Sequence, residues 1–144
     1  MSNKTIVVSG GFDPIHVGHV RMIQEASVFG DVIVILNSDD WLIEKKGYTF
    51  MPFEERSEIL MSIKGVTKVV PTIDLDNTVC ETLRQLKPTY FANGGDRKEG
   101  NVPEENVCKR EGIEMLWGVG GGKIQSSSWL VDAIKENEEE EACL

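Results

Sequence analysis

A chain of 144 residues is long enough for one hydrophobic core but not for two, so a single domain is expected over residues 1–137, followed by an acidic tail at 138–144. Hydrophobic residues at 40% and charged residues at 27% are ordinary for a globular protein, and no apolar stretch approaches the roughly 18 residues of a membrane span. The formal net charge of −9 argues against nucleic acid or an anionic membrane as partner, because either needs a positive field.

Lys4 precedes an apolar run, Thr5-Ile6-Val7-Val8, that reads as a buried strand and leads directly into a glycine motif. No long hydrophobic region or cleavage site precedes it, so a cytoplasmic location is expected. Residues 10–19, GGFDPIHVGH, then place two histidines three apart where strand gives way to helix. The helix keeps Val20, Ile23 and Val28 on one face until Gly30 closes it. Glycines let backbone approach phosphate closely, a helix N-terminus offers unpaired N–H donors, and imidazoles add more. A zinc site is not expected, since the two histidines have no third ligand nearby. Cys80, Cys108 and Cys143 are odd in number and scattered, which indicates free thiols rather than a disulfide framework.

Residues 31–36, DVIVIL, form a continuous apolar strand of the kind covered on both faces. Residues 37–51 read as a polar loop. Pro52 opens a helix in which most of Phe53, Ile59, Leu60 and Ile63 share a face before Gly65, and a strand follows at 67–71. Thr78 and Glu81 stand in capping-box spacing at the head of a helix that Pro88 stops after Leu86. A strand at 89–92 runs into Asn93-Gly94-Gly95-Asp96-Arg97, a helix spans 103–111, and a strand spans 113–117. A glycine loop, 118–125, precedes a last helix at 126–137. Strict alternation of this kind implies an α/β, doubly wound, five-stranded parallel sheet in three layers, Rossmann-like, with ligands beyond the carboxyl ends of the strands.

Two other glycine motifs fail on spacing. The first turn lacks GxGxxG, so hydride transfer is not expected. In the 118–124 loop Trp117 occupies the first glycine position of a Walker A motif and Ile124 its Ser/Thr position, although Lys123 on that flexible arm is still a candidate phosphate contact.

The ordered string Gly11-Phe12-Asp13-x-x-His16-x-Gly18-His19 resembles the signature of the cytidylyltransferase-like (HxGH, nucleotidyltransferase type) family. The resemblance runs over roughly residues 6–131, and the closest-looking members are glycerol-3-phosphate cytidylyltransferase and the heptose-1-phosphate adenylyltransferases. It implies transfer of a nucleoside monophosphate from CTP or ATP to a small phosphorylated acceptor, a polyol or sugar phosphate, with release of pyrophosphate. An acceptor oxygen attacks the α-phosphorus, and Mg²⁺ accompanies the triphosphate. On this reading His16, His19 and Lys45 are the catalytic residues, and Gly10, Gly11, Phe12, Asp13 and Gly18 bind the nucleotide. Asp13 orders its own turn by accepting backbone N–H bonds. Asn93, Gly95 and Asp96 resemble the family's segment beside base and sugar, and Gln125, Ser126, Ser127 and Ser128 its final phosphate-binding signature. Lys46, Arg56, Arg97 and Lys123 are candidate substrate or phosphate contacts, with an ion pair the rival role for Arg56. The sequence departs from the cytidylyltransferases in lacking an arginine about five residues before those serines and in having Gln125 where isoleucine is usual, so CTP does not follow from the resemblance. Family members are often dimers, which makes a homodimer a candidate assembly. The alternative reading is a regulatory module that keeps the nucleotide pocket without transfer.

Overall fold

Runs of β-branched residues build the first three strands, and the computed structural model describes residues 4–76, 78–93, 102–121, 127 and 130–134. The strands β1 (Thr5–Gly10), β2 (Asp31–Leu36), β3 (Val66–Pro71), β4 (Tyr90–Ala92) and β5 (Glu114–Leu116) form one sheet in the order β3-β2-β1-β4-β5, every pair parallel. From β1 the chain steps outward to β2 and β3, then returns to β4 on the other side of β1. The direction of winding therefore reverses between β1 and β4, and their carboxyl ends open the crevice in which such sheets bind ligands.

Between the strands lie α1 (Val17–Ala26), α2 (Asp39–Lys46), α3 (Phe53–Met61), α4 (Cys80–Leu86) and α5 (Glu105–Glu111). The continuous apolar runs of β1 and β2 divide with period two between the two faces. Ile6, Val8, Val32, Val34 and Leu36 pack with Ile23 and Ala26 of α1 and Leu60 of α3. Val7, Ile33 and Ile35 pack with Leu83 of α4 and Val107 and Cys108 of α5. The expected doubly wound, three-layer architecture is the one observed.

Three local readings change. The polar loop expected at 37–51 contains α2, whose signals are caps and charges rather than apolar periodicity. Ser38 Oγ accepts from Trp41 N at 3.1 Å, Asp39 and Asp40 occupy the first turn, Lys45 and Lys46 the last, and Gly47 closes the helix at φ 88. Only Leu42 of that helix is buried, so no apolar stripe announces it. The capping box expected from Thr78 and Glu81 does not form. Instead the Asp74 carboxylate accepts from Glu81 N at 2.8 Å and Thr82 N at 3.0 Å, while Glu81 pairs with Arg84. Val28, expected on the apolar face of the first helix, lies beyond α1 and is exposed.

Residues 127 and 130–134 are helical, within the range expected for the last helix; the acidic tail lies outside the described residues. Among the described residues no helix is long and apolar enough to cross a membrane.

Candidate active site

β1 ends by delivering Gly10 and Gly11 to the crevice. A Cβ on Gly11 would come within 2.8 Å of Leu42 Cδ2, so the motif turn and α2 lie against each other. Phe12 follows at φ 51, a left-handed conformation costing a non-glycine residue roughly 1–2 kcal/mol. Its ring is buried, and stands 4.6 Å from that of His19. Burial of an aromatic side chain offsets strain of that size.

The two histidines then cap α1 with each other's help. His16 is the N-cap, its Nδ1 accepting from Gly18 N at 3.0 Å, and His19 Nδ1 accepts from His16 N at 3.2 Å. This is a capping box made of imidazoles, in which the usual hydroxyl and carboxylate are replaced by ring nitrogens. Because both Nδ1 atoms accept, each neutral ring carries its hydrogen on Nε2. The rings stack with centroids 3.8 Å apart and planes inclined by 24°. The sequence placed Gly18 among the nucleotide contacts, yet its N–H is taken by His16.

Burial holds His19 far below the ordinary 6.5, at about 3, with like-charge repulsion from His16 and Lys46 acting in the same direction. His19 is therefore a neutral donor at physiological pH. Unfolding restores the ordinary value, so between about 6.5 and about 3 the unfolded chain holds a proton that the folded chain refuses. The contribution to stability is complete above that window and is lost as pH falls through it. In NMR spectra the His19 ring signals stay unshifted between pH 7 and pH 5; a midpoint near the ordinary histidine value overturns this account.

His19, but not His16, borders a cavity of about 260 Å³ at the carboxyl end of β1. Gly10, Gly11, Phe12, Asp13 and His19 line one wall, Lys45 and Lys46 of α2 another, and Ser127 closes on them. Ser127 Oγ donates to Pro14 O at 2.7 Å, which ties the last helix to the motif turn. Lys46 Nζ donates to Asp13 O at 3.1 Å, and desolvation pulls its ammonium below the ordinary lysine value, against the opposing pull of Asp13. Lys45 lies instead over the Trp41 ring, 4.6 Å from its centroid. Of the two lysines, Lys46 is the one whose charge is felt at His19.

Asp13 does accept backbone N–H bonds, but not within its own turn. The residue is 1% exposed, and its carboxylate accepts from Phe50 N at 2.7 Å and Met51 N at 2.5 Å, clamping a segment nearly forty residues away onto the motif. Arg56 does not line the cavity. Fully buried in α3, it donates to Met51 O at 2.8 Å, Gly11 O at 2.7 Å, Asn37 O at 2.8 Å and Asp39 Oδ1 at 2.6 Å. Its place is the ion-pair alternative, beneath the site. Asn93, at the end of β4, is buried with Oδ1 lacking a partner among the described residues. Gly95, Asp96, Arg97, Lys123, Gln125, Ser126 and Ser128 lie outside the described residues.

Sequence reasoning missed several lining residues: Ser9, Asn37, Trp41, Leu42, Val79 and Glu104. The caps of α2 would have revealed Trp41 and Leu42 as helical neighbours of the motif. Val79 and Glu104 carry no local signal, since only the winding of α4 and α5 brings them there.

Residues 7–118 match the family described as cytidylyltransferase-like. The chain is 30% identical over 142 residues to the bifunctional protein HldE of Aliarcobacter butzleri, covering 96% of this chain and 28% of that protein. It thus spans about a quarter of the length of that relative. It is also 30% identical over 111 residues to the FAD synthase of Ferroglobus placidus, covering 77% of this chain and 72% of the relative. Among solved structures, the lipopolysaccharide core biosynthesis protein of Thermoplasma volcanium superposes with a TM-score of 0.67 at 19% identity, covering 81% of this chain and 95% of that one, a likeness of fold.

Proposed function

The chain belongs to the cytidylyltransferase-like family, and from that premise we propose that it is a nucleotidyltransferase moving a nucleoside monophosphate from CTP or ATP to a small phosphorylated polyol or sugar, releasing pyrophosphate. The observation that carries the reading is the imidazole capping box. Two stacked rings with hydrogens on Nε2 stand at the head of α1, and one of them, His19, held neutral beside Lys46, borders a cavity at the switch point.

In this mechanism the protein supplies position and donors rather than a nucleophile. An oxygen of the acceptor's phosphate attacks the α-phosphorus in line, the bond to the β-bridging oxygen breaks, and pyrophosphate leaves. His16 and His19 donate to the phosphoryl oxygens as negative charge grows on them, Lys46 and Lys45 neutralise the polyphosphate tail, and Ser127 closes the far side. A neutral donor keeps its proton at the moment of reaction, so His19 stabilises charge without acid–base exchange. Among the described residues no three His, Cys, Asp or Glu side chains gather to hold a metal ion. Magnesium enters this proposal as part of the triphosphate substrate. A cytoplasmic location, from the reading of residues 1–10, and a homodimer, on the family's pattern, belong to the same proposal.

Four nucleoside triphosphates assayed against glycerol 3-phosphate and a set of sugar 1-phosphates, with pyrophosphate as readout, test the function. Release that needs both a triphosphate and an acceptor is expected. Tight nucleotide binding with no transfer to any acceptor favours the silent regulatory module instead.

A further inference from the structure

Besides its lysines, the cavity is lined by a glutamate that nothing in the transfer scheme uses. Glu104 immediately precedes α5 and is 3% exposed, although glutamate is almost never buried without a partner. It does not cap its own helix, for its side chain makes no capping bond there. Oε1 accepts one long bond, from Val79 N at 3.4 Å, and Oε2 has no partner among the described residues. Neither Lys45 nor Lys46 forms an ion pair with it among those residues. A buried acceptor left in this state is costly, and donors arriving with a ligand would relieve it.

The cavity is thus two-ended. Its α1–α2 side offers hydrogen-bond donors and positive charge, from His19 and Lys46; its α4–α5 side, at Val79 and Glu104, offers a carboxylate and an apolar wall. A ligand complementary to both carries phosphate at one end and O–H donors at the other. A second phosphate or a carboxylate at the Glu104 end would meet like charge. We propose that Glu104 reads hydroxyl groups of a phosphorylated ligand in this cavity and so selects hydroxylated substrates over their deoxy counterparts. The inference rests on the nucleotidyl-transfer reading and deepens it. Hydroxyls have two sources, the acceptor's polyol or sugar and the nucleotide's ribose.

Calorimetric binding to the wild-type chain and to Glu104→Gln, both checked for unchanged thermal midpoint, tests it without requiring turnover. The probes are glycerol 3-phosphate and glucose 1-phosphate, propyl phosphate lacking the hydroxyls, ATP and CTP, their 2′,3′-dideoxy forms, and inorganic tripolyphosphate. The wild type is expected to prefer a hydroxylated ligand to its deoxy counterpart by about tenfold or more, and Glu104→Gln to lose that preference while binding tripolyphosphate within twofold of wild type. Loss confined to glycerol 3-phosphate or glucose 1-phosphate assigns the donors to the acceptor; loss confined to ATP and CTP against their dideoxy forms assigns them to ribose. Retained preference in Glu104→Gln, or no preference in the wild type, overturns the proposal while nucleotide binding leaves the transfer reading standing. A wild type that binds neither nucleotides nor tripolyphosphate overturns both.

Discussion

Replacing His19 by alanine is expected to lower kcat for nucleotidyl transfer by about 10²- to 10³-fold, the effect of removing one preorganised donor from a site where charge develops. The magnitude follows from what the ring is in this fold. Held neutral, with Nδ1 engaged by His16 N, it is oriented before substrate arrives and gives up no proton when charge grows. Its loss also removes half of the capping box, which costs roughly 1 kcal/mol and lowers Tm by a few degrees for a chain of this size. These two consequences separate cleanly: a stability change that small leaves the protein folded at assay temperature, so the catalytic deficit cannot be charged to unfolding. His16→Ala is expected to follow closely, because it removes the acceptor for Gly18 N and the stacking partner of His19. Steady-state kinetics alongside a thermal melt decide the matter. Turnover within a few fold of wild type for His19→Ala sinks the assignment of the donor role.

The sequence revealed this site unevenly, for physical reasons. The sheet was legible because β1 and β2 are buried on both faces, and burial on both faces writes itself as unbroken Ile and Val. The histidine motif was legible because glycines, a turn and a helix start occupy consecutive residues. Long-range roles were not. Asp13 looked like the organiser of its own turn, whereas its carboxylate holds Phe50 and Met51, a partnership set by the path of the chain after α2. Lys45 and Lys46 are adjacent in sequence and equivalent in type; a helix places them on different sides, one over Trp41 and the other at Asp13 O. Glu104 carried no signal at all, since burial of a glutamate is fixed by what packs around it.

Arg56→Met is expected to cost about 3–5 kcal/mol of folding stability, and Arg56→Lys to recover little of it. Arg56 is the fully buried hub at which four pieces of chain meet: the motif turn at Gly11, the end of β2 at Asn37, the head of α2 at Asp39, and the loop before α3 at Met51. Methionine matches the length of the stem but leaves three carbonyls, that of Asn37 in a buried bond and those of Gly11 and Met51 in part-buried ones, short of a donor. Asp39, 42% exposed on its side chain, can rehydrate, so the penalty comes from the carbonyls rather than from the lost ion pair. Lysine restores the charge with a single ammonium that cannot span a planar fork's four acceptors. Against a typical net stability of about 5–15 kcal/mol, a loss of this size moves the urea midpoint down by roughly 1–3 M. A midpoint unchanged in Arg56→Met would show that the carbonyls find other donors and that Arg56 holds nothing together. Because the same guanidinium fixes both Gly11 and Asp39, transfer activity should fall together with stability, even in buffer where the variant remains folded. Joint loss is the mark of a residue that builds the site without touching its ligand, in contrast to His19, where activity collapses and stability barely moves.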